Sequence, residues 1–146
     1  MNNTKTPDRL KASANYIQTD IKTCNKLFKI QKYKGQDSAT FKMIPLDNVI
    51  EAVRNGFLTP DSKWNSSPSV LRMIKFALQY QDVAEFYFDG YVYYPHSGSV
   101  EVGVHTFRMK LLKPDLATEL AKRYLRFCQT ADKSSIYSSI WWAWWD

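Results

Sequence analysis

The chain has 146 residues, 45% hydrophobic, 23% charged and 15% aromatic, with a formal charge of +6. That size suits one ordinary domain spanning 1–146, with residues 1–6 expected as a tail, and the composition excludes wholesale disorder. No window approaches the roughly 18 uncharged apolar residues of a membrane span, and MNNTKTPDRLKA lacks the apolar run of a secretory signal, so the expected setting is cytoplasmic with no membrane partner.

Thr6, Pro7 and Asp8 open the first predicted helix. They supply a capping hydroxyl, a proline suited to the first helical position and a carboxylate where the dipole favours an anion. Leu10, Ala14, Ile17, Ile21, Cys24 and Phe28 follow at spacings of three and four, one apolar stripe. The stripe predicts a helix packed on a sheet. A coiled-coil seam is the alternative, but Ala and Cys within it argue the other way. Lys22, Lys26 and Lys29 lie on another side of this helix.

Residues 30–33 and 39–44 alternate about a turn at 35–38 and predict a short hairpin. Asp47 then caps a short helix with Leu46, Val49, Ile50 and Val53 inward, and Gly56 ends it where a left-handed residue is needed. A loop with Pro60 and Trp64 leads to a third helix capped by Ser67, its core side formed by Val70, Leu71, Ile74, Ala77 and Leu78.

Residues 84–112 organise the rest. Phe86, Phe88, Gly90, Val92 and Tyr94 share one face of a predicted strand, and Tyr87, Asp89, Tyr91 and Tyr93 the other. Val100, Val102, Val104 and Thr106 then oppose Glu101, Gly103, His105 and Phe107. Pro95, Ser97, Gly98 and Ser99 between them are turn formers, so the stretch reads as a long antiparallel hairpin.

Pro114 and Asp115 open a fourth helix with Leu116, Leu120, Tyr124 and Phe127 in one apolar row. Cys24 and Cys128 both fall in helical patterns, which predicts two buried thiols and no disulfide. The chain closes on Trp141, Trp142, Trp144 and Trp145. Four exposed indoles of roughly 150–250 Å² each would exceed the apolar patch a monomer carries. A last strand is therefore expected, with Trp142 and Trp144 mostly buried and Trp141 and Trp145 partly exposed for contact. The whole predicts an α+β fold: an antiparallel sheet built on the 84–112 hairpin, with about four helices packed mainly on one face.

The charge is uneven. Residues 1–34 hold eight Lys/Arg against two Asp/Glu, a surplus of six, while residues 35–146 hold twelve of each. A lysine-rich helix can attract phosphate backbone without reading bases. A solvated face is the plainer reading, and Arg9 is the only arginine there to offer a bidentate fork.

The chain shows no HExxH, CxxC, GxSxG or phosphate-cradling glycine motif, and no metal-ligand spacing. His96 and His105 are its only histidines, and neither has a partner in sequence. Asp89 and Glu101 read as outward carboxylates that keep a sheet soluble. No catalytic, cofactor or metal site is expected. The expected function is a small non-catalytic protein that contacts another protein, as an inhibitor or accessory subunit, or contacts a second copy of itself. Tyr87, Tyr91, Tyr93, Trp141 and Trp145 would supply the aromatic surface. A nucleic-acid-binding module is the alternative, using Lys22, Lys26 and Lys29 with the same tyrosines as a stacking platform.

Overall fold

The computed structural model describes residues 18–95 and 99–146. The expected helix start at Thr6–Asp8, the N-terminal tail and the hairpin loop with His96 lie outside them. Residues 18–27 are helical, α1. There follow β1 (Ser38–Pro45), α2 (Leu46–Arg54), α3 (Val70–Tyr80), β2 (Ala84–Tyr93) and β3 (Glu101–Leu111). A 3-10 turn (Pro114–Leu116) leads into α4 (Ala117–Phe127), and β4 (Lys133–Ser135) and β5 (Ile140–Trp144) complete the order. The strands form one antiparallel sheet, β1-β2-β3-β5-β4, with the expected hairpin β2–β3 at its centre.

The α+β layout follows from the alternation. Phe86, Phe88 and Val92 turn one side of β2 into a continuous apolar surface, and all three are buried. Phe76 of α3 reaches Phe86, Phe107 and Tyr124, which joins α3, the sheet and α4 in one aromatic cluster. Tyr124 anchors α4 by donating to the Phe107 carbonyl at 2.5 Å. Phe28, just after α1, lies 4.5 Å from Phe41 of β1, and Asn48 of α2 donates to the Leu27 carbonyl. All four helices therefore pack on the same side of the sheet.

Several local expectations are corrected. Residues 30–33 are not a strand, and β1 takes β2 as its partner, because the long central strand offers it a full ladder. The α3 cap is Ser69, which accepts from the Arg72 N–H; Ser67 instead accepts from the Trp64 N–H and braces the preceding loop. The inward side of α3 also differs from the expected one: Met73 is buried, while Leu71 and Leu78 are 40% and 44% exposed. Asp47 sits in the first turn of α2 without capping it, and Gly56 does adopt the left-handed φ of +79°. Cys24 and Cys128 are free and buried, and burial pushes each thiol up to about 12.

The tryptophan order is reversed. Trp141 and Trp145, expected to be partly exposed, are 6% and 0% exposed, while Trp142 and Trp144 are half-buried. The register gives the reason. Trp141 lies opposite Met109 and Ala143 opposite Phe107, both core positions of β3, so the odd positions of β5 inherit the core face. Trp145 continues the ladder by donating its N–H to the His105 carbonyl, and its indole Nε1 donates to Thr130 Oγ1.

Candidate interaction site on the open face of the sheet

Among the described residues every helix lies on one side, and the other face of the sheet meets the loop 55–69 through Trp64. Two β-bulges shape this face. In β1, Phe41 lies opposite Gly90 and Ile44 opposite Phe88, so Lys42 and Met43 share the place opposite Asp89. In β3, Val104 lies opposite Gly90 and Thr106 opposite Asp89, which leaves His105 as the extra residue. Bulges on both neighbours of one central residue re-aim side chains around it. Met43 carries the strain, with φ at +56°, where a residue with a Cβ is disfavoured.

Asp89 occupies the focus. It is 6% exposed, and its Oδ1 accepts from the Met43 N–H at 2.9 Å. Arg108 clamps both oxygens: Nε lies 3.0 Å from each, and Nη2 lies 2.6 Å from Oδ2. This bidentate pair satisfies the carboxylate that reading the alternation alone places outward in water. No hydrogen bond engages the Nη1 end of Arg108 among the described residues. An open concavity of about 580 Å³ lies over the pair, with Lys42, His105, Thr106, Trp142 and Trp144 among its walls.

Aromatic rings continue the surface on both sides. Trp64, carried in by the loop, stacks on Tyr91 at 5.7 Å and meets the His105 ring edge-on at 5.6 Å. Tyr91 lies 6.1 Å from Tyr93. Gly103 makes room for the indole, since a Cβ there would stand 2.7 Å from Trp64 Cζ3. Toward β4, Lys133 Nζ sits 5.9 Å above the Trp144 ring. His105 Nδ1 lies 2.7 Å from Thr106 Oγ1, and burial against these rings holds the imidazole below its ordinary pKa.

Both Asp89 oxygens accept hydrogen bonds, and burial lowers the His105 pKa from its ordinary value. Among the described residues no group of three or more His, Cys, Asp or Glu is arranged to hold a metal ion, and no helix is long and apolar enough to cross a membrane.

No family model, curated protein or solved structure matches the chain.

Geometry alone therefore marks this face. Of the residues expected from sequence, Tyr87, Tyr91 and Tyr93 do share it, Tyr87 lying opposite Arg108. Trp141 and Trp145 are in the core. Lys22, Lys26 and Lys29 are exposed, but α1 packs on the helical side, so the sheet lies between them and the tyrosines. The residues that sequence reasoning missed are Trp64, Asp89, Arg108, Trp142 and Trp144. The ion pair had a faint signal. A hairpin with a loop of about four residues brings Asp89 near residue 106, but strict alternation puts Arg108 on the other face, and only the extra residue at His105 turns it toward Asp89. Trp64 had none, because a loop's destination is not encoded in its spacing.

Proposed function

We propose that the protein acts by binding another protein on the open face of its sheet, as an inhibitor or accessory subunit of that partner. The observation that carries this reading is the half-buried pair Trp142 and Trp144, standing beside the Asp89–Arg108 pair on a face that no helix covers among the described residues. Trp, Tyr and Arg are the residues that dominate protein interfaces when truncated. Charge on this face is close to balance: Lys42, Arg108, Lys110 and Lys133 stand against Glu85, Asp89 and Glu101. A balanced, aromatic face suits a protein surface better than a polyanion. Arg108 Nη1, which has no hydrogen-bond partner among the described residues, lines the concavity with Lys42 and favours a partner that presents a carboxylate among apolar side chains.

The composite nucleic-acid surface, α1 lysines with β2 tyrosines, loses support because the sheet separates its two halves.

Affinity capture from nuclease-treated lysate tests the proposal, with the intact chain and with Trp142→Ser/Trp144→Ser. The intact chain should retain a partner that the double variant loses, with affinity for the purified partner falling about tenfold or more. The variant's melting temperature should stay near that of the intact chain. Equal capture by both chains, or capture that nuclease abolishes, would overturn the reading.

A further inference from the structure

The groove between α3 and α4, on the far side of the molecule from the sheet face, gathers cations that lie about 50 residues apart in sequence. We propose that it binds the phosphodiester backbone of a nucleic acid, without reading bases. The groove encloses about 670 Å³. Its floor is the stacked pair Phe76 and Phe127, with ring centroids 4.5 Å apart. Arg72 rises from the α3 side; Lys122, Arg123 and Arg126 rise from α4; Glu119 is the one carboxylate among the lining residues. Arg72 is steadied over the Phe127 ring at 5.6 Å. Arg123 is tied to Glu119 at 3.0 Å and to the Tyr80 hydroxyl at 3.1 Å. Neither Lys122 nor Arg126 is paired with a carboxylate among the described residues. The lining therefore carries a surplus of positive charge within a segment, 35–146, whose overall charge is zero.

Three of the four cations are arginines, whose planar forks match phosphate oxygens. The cations are distributed over two 11-residue helices that edge an open trough. A single small anion would leave most of them unused, whereas a chain of phosphates can lie along the trough and meet both rims. Leu71, Leu78 and Leu125 are exposed on the same helices, which makes an anionic membrane the rival occupant. The exposed cations line a groove and not a convex face, and a strand can enter that groove where a flat bilayer surface cannot follow it.

The test uses the full chain and a fluorescein-labelled single-stranded DNA of mixed sequence, about 30 nucleotides long, read by anisotropy from about 50 to 200 mM salt. Vesicles of phosphatidylcholine with phosphatidylserine provide a parallel sedimentation arm. The intact chain should bind the DNA with log K falling linearly in log[salt], at about 0.7 per phosphate contact. Arg72→Gln/Lys122→Gln/Arg126→Gln should weaken binding about tenfold or more at the lowest salt and flatten the slope by about two contacts. These side chains stand at the surface, and an unchanged melting temperature would confirm that the variant folds. Trp142→Ser/Trp144→Ser should bind the DNA like the intact chain. The proposal fails if the intact chain ignores the DNA at about 50 mM salt. It fails equally if the groove variant binds normally while Lys22→Gln/Lys26→Gln/Lys29→Gln does not, or if the groove variant loses only vesicle binding.

Discussion

Asp89 and Arg108 hold the centre of the open face, with side chains only 9% and 17% exposed. A buried pair gains its strength only while both partners remain, because each charge has lost its water. Asp89→Asn should therefore lower unfolding free energy by about 3–5 kcal/mol in a denaturant titration, since Arg108 is then left uncompensated. Asp89→Leu/Arg108→Met should cost less than Asp89→Asn alone, and a larger loss in the double variant would show that the pair is needed for more than charge balance. His105 supplies a pH signature. Its folded pKa lies below the unfolded value of 6.5, with burial as the main cause. The unfolded chain thus takes up the proton first, and stability rises with pH across that interval. The contribution is complete above about pH 6.5 and is lost as pH falls toward the folded value. Melting temperatures taken at descending pH should drop less steeply in His105→Gln than in the intact chain. Parallel curves would place the proton elsewhere.

At the scale of elements, β2 and β3 approach closely at Gly90. A Cβ on Gly90 would lie 1.8 Å from the Gly103 carbonyl oxygen and 2.9 Å from Phe41 Cζ. Backbone cannot swing aside, so Gly90→Ala must spread the hairpin, and its cost should reach or exceed the upper end of the about 1–3 kcal/mol typical of overpacking. Gly103→Ala clashes with the Trp64 indole, which a loop can carry away, and comes into ordinary contact with Tyr93. It should cost less in stability and should quench or shift Trp64 fluorescence instead. If the two substitutions prove equally destabilising, the loop is held more firmly than its exposure suggests. The last strand invites a similar contrast. Trp145→Ala removes an indole with 0% exposure and should cost about 3–5 kcal/mol by thermal or chemical melting. Removal of residues 141–146 should cost more still, since it strips Trp141 and Ala143 from the core and leaves β3 without its neighbour.

At the scale of the molecule, two surfaces of different character lie on opposite sides of one core. The sheet face is aromatic and nearly balanced in charge, while the helical side is basic through α1, α3 and α4. Salt should therefore separate them. Binding on the helical side should weaken steeply between about 50 and 200 mM salt, and binding at Trp142 and Trp144 should change little, because burial of apolar area is not screened. Equal salt dependence at the two sites would mean that one surface serves both.

The sequence by itself determined the elements whose signal is local and repeated. The alternation of Phe86, Phe88 and Val92 with Tyr87, Asp89 and Tyr91 suffices for β2, because side-chain direction on a strand has a period of two. The helices α2, α3 and α4 and the glycine at position 56 were legible for the same reason, as was the presence of a last strand among the tryptophans, although Leu71 and Leu78 of the expected α3 stripe face outward. Only the tertiary structure decided what depends on register. One extra residue, His105, reversed the parity of β3, sent Phe107 and Met109 inward and, through the β3–β5 ladder, buried Trp141 rather than Trp142. A bulge leaves no mark in composition, since any residue can be the unpaired one. The basic groove was hidden in the same way. Arg72 and Arg126 come together only when α3 and α4 pack side by side over Phe76 and Phe107, and no running sum of charge along the chain can show which distant helices will share a face.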